Sequence, residues 1–252
     1  MSTTIVNATT EGGRTDVGGG PIWIGNLLFY LDAGNPFGGP QAGEGSSVIN
    51  NIAPKRSANR FRQTSTLDNN AQVLNNYFNF DGVNDRIDME AEFTMDSAGA
   101  TLMWWMAPHS ATTNYNIVGN GENGGVLQNI EFRQTFFYAE TNNNCGYYHS
   151  PSFDQWNDNE WHHVAVTFNS NQEANWYIDG AAIGEATTYG QVNCTATTLS
   201  NLGGYDATMR YWGSGGYSSD YKGNLNQMMF YDTELTLFQI STNYRTQKYR
   251  YS

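Results

Sequence analysis

The segment "DRIDMEAE" sets Asp88, Glu90 and Glu92 at alternate positions, and a strand would line all three along one face. Alternating carboxylates are the equipment of a glycoside hydrolase, one acting as nucleophile or base and one as acid. Just upstream, Asp81, Asn84, Asp85 and Asp88 bring oxygen ligands to close spacing, as a hard cation such as calcium requires. The same residue types also build turns, so plain turn chemistry stands beside the metal reading. His162 and His163 are adjacent. On a strand they diverge to opposite faces and cannot share one ion, unlike two histidines one helical turn apart. The expectation is that they pack against neighbouring strands with a ring nitrogen bonded locally. Tyr147, Tyr148, Trp156, Tyr205, Trp212 and Tyr217 lie in or beside polar, glycine-rich stretches. An exposed ring there would stack on a sugar or enter a protein partner, and a buried one would seal the end of the fold.

These residues need elements to hold them, and the chain offers mostly strands. "YFNFDG", "TLMWWMAP", "YNIVGN", "IEFRQTFFYAE", "WHHVAVTFN", "NWYIDG" and "YKGNLNQMMFYD" are short apolar or alternating runs punctuated by Gly, Asn and Asp. That spacing predicts an antiparallel sandwich rather than alternating strands and helices. Asp179-Gly180 is a strong hairpin signal, because such a turn needs positive φ. The stretch from Asn35 to Asn76 reads as a long loop or a set of short strands. From Thr233, "TELTLFQISTNYRTQKYR" predicts a helix with Leu235, Phe238, Ile240 and Tyr244 at near-helical spacing and Lys248 and Arg250 near its end. Residues 1–20 have no apolar periodicity and read as a mobile arm before a single domain over 21–252.

Composition narrows the partners. Of 252 residues, 39% are hydrophobic and only 14% charged, against about a quarter charged in most soluble proteins. The chain can build a core, and its polar surface must come largely from Asn, Gln, Ser, Thr and Gly. The net charge of -12 repels phosphate backbones and anionic membranes, which argues against nucleic-acid and membrane partners. No apolar run approaches the roughly 20 residues of a membrane span, and the first residues lack a secretory signal pattern. Cys145 and Cys194 are too few for a disulfide framework and read as free thiols, with one bridge as the alternative.

"WHHVAVTFNSNQEANWYIDGAAIG" resembles the central hairpin of laminin-G-like, concanavalin A-like jelly rolls, with "FDGVNDRI" and "YKGNLNQMMFYDTELT" matching two further strands in order. The resemblance implies an all-β antiparallel jelly-roll β-sandwich with a short C-terminal helix. It says little about activity, since this fold carries lectins, adhesins, glycosidases and structural proteins. The jelly-roll glucanases order their carboxylates Glu-x-Asp-x-Glu, whereas Asp88, Glu90 and Glu92 run Asp-x-Glu-x-Glu, so the acidic run is read as a solvated edge and not as catalytic.

"NLLFYLDAGNPFGGP" and "FQISTNYRTQKYRY" resemble the opening and closing segments of a subgroup found in structural proteins of tailed, particularly marine, bacteriophages. That resemblance implies a non-enzymatic virion protein made in the host cytoplasm and displayed on the particle surface. Capsid decoration is the leading expectation, because the chain lacks the repeats and heptads of long fibres. A tail-associated host-attachment protein and a free carbohydrate-binding module are the alternatives. The expected partners are other virion proteins reached through the arm and host-surface glycan. A homo-oligomer is compatible with the three-fold positions of many virion surface proteins, though no residue demands it. Calcium is the one cofactor the loop at Asp81 brings into view.

Overall fold

Why "TLMWWMAP" has no polar face is answered by where it sits. In the computed structural model this strand is the centre of a sheet covered on both sides. The structure describes residues 25–35, 48–53, 64–68, 71–94, 99–109, 114–119, 127–133, 136–141, 145–149, 153–169, 174–183, 206–212 and 221–252. The expected arm, residues 1–20, lies outside the described residues.

The first sheet runs β14 (Ala181–Ala182), β13 (Ala174–Ile178), β12 (His162–Phe168), β7 (Ala100–Pro108), β16 (Lys222–Tyr231), β5 (Tyr77–Asp81) and β4 (Gln72–Leu74), with β1 (Leu27–Leu31) also paired to β16. The second runs β11 (Cys145–His149), β10 (Phe136–Thr141), β9 (Leu127–Arg133), β8 (Asn114–Gly119), β15 (Asp206–Trp212), β6 (Arg86–Thr94), β3 (Thr64–Asp68) and β2 (Val48–Asn50). Every described pairing is antiparallel. The sandwich expected from the strand pattern is the one observed.

Alternation along the strands sorts the core into two layers. Leu102, Trp104 and Met106 of β7, Val164 and Val166 of β12 and Phe29 of β1 face the space between the sheets, where they join Phe78, Phe80 and Ile87. Met103, Ala165, Met229 and Tyr231 point the other way, into a smaller cluster with Leu235 and Ile240. The second layer exists because α1 (Leu237–Gln247) lies across the outer face of the first sheet. A strand buried on both faces reads as a continuous apolar run.

The helix differs from its sequence-based outline. It begins at Leu237, and Thr236 caps it through a box in which the Thr236 side chain accepts from the Gln239 amide while the Gln239 side chain accepts from Thr236 N–H. Phe238 is 76% exposed, and the buried positions are Ile240, Asn243 and Gln247. Two of those are polar because they meet polar and sulfur atoms. Asn243 donates to the Tyr231 hydroxyl at 3.2 Å, and the Trp105 indole donates to Gln247 Oε1 at 2.9 Å. Lys248 and Arg250 follow in a short 3-10 turn, Lys248–Arg250.

β16 carries the structural devices that let it sit between β7 and the pair β5 and β1. Gly223 has φ +143°, and a Cβ there would come within 2.4 Å of the Ala107 carbonyl oxygen, so the Lys-Gly of the closing strand is a packing requirement. Four residues on, the register with β7 shifts between Asn226 and Met229, and Gln227 takes φ 50°. This bulge lets Leu225 and Met228, three positions apart, both face the inner core.

"DRIDMEAE" forms most of β6, which pairs with β15 between Ile87 and Thr94 and with β3 over Arg86 to Asp88, so at Asp88 the strand is not the edge that was expected. Ile87 is buried in the core and the adjacent Asp88 is half-buried on the opposite face. The side chains of Glu90 and Glu92 lie outside the described residues.

Candidate functional site

The paired histidines are organised by one carboxylate. Asp179 and Gly180 take φ 52° and 75° in the tight turn joining β13 to β14, as a two-residue hairpin requires. The turn folds back onto the start of β12: Asp179 N–H donates to the His163 carbonyl at 2.8 Å and His163 N–H donates to Asp179 Oδ1 at 2.9 Å. The other carboxylate oxygen lies 2.8 Å from His162 Nδ1, and His162 Nε2 lies 3.1 Å from Asp158. Protonated imidazole satisfies both contacts. Burial pulls the His162 pKa down, but the bonds and charges of Asp179 and Asp158 outweigh it and hold the pKa above the usual value.

His163 points the other way, as strand alternation requires. Its ring is fully buried, 5.3 Å from the Trp105 ring and 6.0 Å from Tyr244. Among the described residues neither ring nitrogen has a hydrogen-bond partner, which departs from the expectation of a locally bonded ring. Desolvation drives its pKa down to about 4, opposed only weakly by the Asp179 charge. The two neighbouring imidazoles are thus biased oppositely, His162 toward its protonated form and His163 toward its neutral one. Their divergence rules out a shared ion, as the strand geometry predicted.

Above His163 the outer face is aromatic. Trp105 stacks with Tyr251, 4.2 Å away at 18°, and with Tyr244, 5.8 Å away at 24°. Trp161 leans on Tyr251 at 4.8 Å and on Tyr77 at 5.7 Å. Ser241 Oγ donates to the Gly180 carbonyl, and a Cβ at Gly180 would sit 2.8 Å from Tyr244, so glycine is needed for the helix to approach the hairpin. A pocket of about 290 Å³ opens beside this stack.

The stack is anchored by a buried polar network. Arg250 donates twice to Asp32, at 2.8 and 2.9 Å. Tyr30 hydroxyl and Gln227 Nε2 also donate to Asp32, and Tyr251 hydroxyl donates to Gln227 at 3.0 Å. Asn226 accepts from Ala33 N–H and donates to the Asn76 carbonyl. Burial pushes the Asp32 carboxyl up, but the Arg250 charge and these hydrogen bonds bring it below the usual range. Burial likewise raises the Tyr30 and Tyr251 hydroxyls well above theirs.

The loop proposed for calcium is occupied with its own turn. Asp85 Oδ2 accepts from Asp81 N–H and Asp81 Oδ1 accepts from Val83 N–H, both at 2.8 Å. Asp85 is buried while Asp81 and Asn84 are exposed. Among the described residues no three His, Cys, Asp or Glu are placed to hold a metal ion.

The aromatic candidates separate. Trp156 is half-buried in a 3-10 turn, Phe153–Trp156, and packs on the sandwich core, the sealing role rather than a contact surface. Tyr147 and Tyr148 fall on β11 at the edge of the second sheet, and Trp212 ends β15 opposite Ile87 and Val118; their side chains lie outside the described residues. Tyr205, Tyr217 and Cys194 lie outside them altogether. Sequence reasoning passed over Asp32, Gln227 and Arg250, and read Asp179 only as a turn residue. A Gln in the middle of the apolar run "NLNQMMFY" was the available signal, since a buried amide demands partners.

Comparison with known proteins agrees with this architecture. Residues 81–241 match the family model described as the concanavalin A-like lectin/glucanases superfamily, of the Laminin_G_3 type. The chain belongs to that superfamily. Among solved structures, Trypanosoma rangeli sialidase superposes with a TM-score of 0.60 at 13% identity over 96% of this chain and 36% of the sialidase. The receptor binding domain of botulinum neurotoxin C/D mosaic serotype superposes at 0.62 and 13% identity over 88% of this chain and 52% of that one. This chain therefore spans about a third to a half of these proteins, and the likeness is one of fold. No curated protein matches the sequence. No helix among the described residues is long and apolar enough to cross a membrane.

Proposed function

We propose that this chain is a non-enzymatic structural protein of a tailed-bacteriophage particle, a capsid decoration protein that displays its sandwich outward and contacts host-surface glycan. The observation that carries this reading is the joining of the two segments that resemble the phage subgroup. Residues 27–34 and 237–251 form one packed unit, fastened by Arg250 on Asp32 and by Tyr251 on Gln227. A fold whose first and last described elements are locked together suits a rigid module tethered through residues 1–20. The histidine geometry supports the non-enzymatic part: His163 is walled off from solvent, and both nitrogens of His162 are engaged by carboxylates. Neither is placed as a general base. The aromatic residues Tyr147, Tyr148, Tyr205, Trp212 and Tyr217 are the proposed glycan contacts of the displayed end.

The test is the copy number of this chain relative to the major capsid protein in purified particles, by quantitative mass spectrometry. Hundreds of copies per particle are expected. A few to a few tens would move the protein to the tail or a vertex and favour host attachment. Absence from particles would overturn the virion reading in favour of a free carbohydrate-binding module, which the superfamily and its sialidase and receptor-binding neighbours also support.

A further inference from the structure

The pocket beside the aromatic stack has a chemistry of its own. It lies on the outer face of the first sheet, where the turn after α1 crosses the end of β12, and measures about 290 Å³. That is the low end of ligand sites, which start at roughly 300 Å³, so it has room for a single ring and not for an extended chain. Tyr244 and Tyr251 both stack on the Trp105 ring, and its indole N–H is taken by Gln247. The surfaces left to a ligand are those of the half-buried Trp161, Tyr244 and Tyr251 and of Tyr249, which is 54% exposed.

The charged side chains of the lining are one carboxylate and one ammonium, Asp179 and Lys248, with the Ser252 hydroxyl beside them. The Asp179 carboxylate is fixed by the His163 amide and the His162 ring, and each of its oxygens has a second lone pair to offer. Lys248 Nζ lies 5.8 Å from the Tyr244 ring centre and brings three donors. A simple anion would meet Asp179, and a simple cation would meet Lys248. A neutral ring with apolar C–H faces and several hydroxyls satisfies all of these groups together: the faces lie on aromatic surface while the hydroxyls donate to Asp179 and accept from Lys248.

We propose that this pocket binds one neutral pyranose ring, as a saccharide site on the helix-covered face of the first sheet. The ligand class rests on the glycan-contacting part of the proposed function, and the location is independent of it. Trp161 supplies the stacking wall, Asp179 and Lys248 fix the hydroxyls, and Tyr249 closes the open side. With one ring and part of the wall open to solvent, the affinity is weak, a dissociation constant of roughly millimolar order.

The full 252-residue chain, labelled with nitrogen-15, is titrated with the methyl glycosides of glucose, galactose and mannose. The Trp161 indole resonance is assigned by Trp161→Phe. At least one glycoside is expected to shift that resonance saturably, and Tyr249→Ala and Lys248→Met should each weaken binding about tenfold, with circular dichroism and melting midpoint unchanged. Saturable binding that leaves Trp161 unmoved and ignores both variants would overturn the pocket while keeping glycan contact elsewhere on the chain. No binding by any of the three glycosides would overturn the pocket too, and the particle copy number would still decide the virion reading by itself. Tighter binding of N-acetylneuraminic acid or glucosamine than of the neutral glycosides would overturn the assignment of a neutral ring.

Discussion

Asp32 and Arg250 are 218 positions apart, yet their side chains meet in a two-pronged ion pair at 2.8 and 2.9 Å, almost wholly shielded from solvent. Desolvating two charges is costly, and the pair is tolerable only because Tyr30, Gln227 and the Gly34 amide occupy the remaining carboxylate positions. Removing either partner strands the other. Arg250→Ala and Asp32→Asn are each expected to lower unfolding free energy by about 3–5 kcal/mol. A double-mutant cycle by urea denaturation should give a large coupling energy, and additive losses would show that the two side chains do not act as a pair.

The two histidines should titrate in opposite directions. Nitrogen-15 NMR of the rings is expected to place His163 near 4 and His162 above the ordinary 6.5. Asp179→Asn removes the larger of the two carboxylate contacts on His162, so the His162 value should fall back toward 6.5 while His163 remains low.

Stability should therefore depend on pH in a way that can be signed. His163 binds its proton at about 4 when folded and at about 6.5 when unfolded. Between those values the unfolded chain holds more protons, so this contribution is complete above about 6.5 and is lost as pH falls through 4, a change on the order of 3 kcal/mol. Asp32 acts in the same direction lower on the scale, its share vanishing as pH falls through its depressed pKa. His162 acts oppositely: its stabilisation is full below about 6.5 and is lost as pH rises through its raised value. Asp158, Asp179 and Tyr244 are the titratable neighbours on the adjoining elements. His163→Phe should flatten the slope of denaturation free energy between pH 4 and about 6.5, and an unchanged slope would remove His163 from this account.

Gly180→Ala should destabilise by about 1–3 kcal/mol. The residue sits at φ +75°, and its new methyl group would press into Tyr244 at 2.8 Å. Thermal melts of the variant should show the loss, and Tyr244→Ala in the same background should return only the steric part.

Chelator is expected to leave the melting midpoint unchanged, because the Asp81 and Asp85 carboxylates already brace the turn by accepting from the Val83 and Asp81 amides. A fall in the midpoint restored by added calcium would reinstate the loop as a metal site.

The parts of this structure that were legible in the sequence are those set by local pattern. The strand at His162, the divergence of its two histidines and the Asp179-Gly180 hairpin follow from period-two alternation and turn chemistry. The Asp88 end of "DRIDMEAE" was misplaced at an edge because its partners on β3 and β15 lie beyond the reach of local pattern. A carboxylate on a paired strand looks the same in sequence as one on a free edge. The apolar spacing that outlined the helix does not say which face it buries, and Phe238 faces water while Ile240 is buried. Asp32, Gln227 and Arg250 were invisible for a different reason. Each alone is an ordinary polar residue, and their meaning exists only where β1, the bulge of β16 and the last turn converge.

The position of β16 sets an order of events during synthesis. It pairs with β7 on one side and with β5 and β1 on the other, so the middle of the first sheet stays vacant until residue 231 has left the ribosome. Until then β7 keeps an apolar edge that can pair with another chain, and the closure joining β1 to β16 carries the slow kinetics of long sequence separation. Nascent chains stalled before Lys222 should accordingly be the form that chaperones hold and that aggregates when they do not.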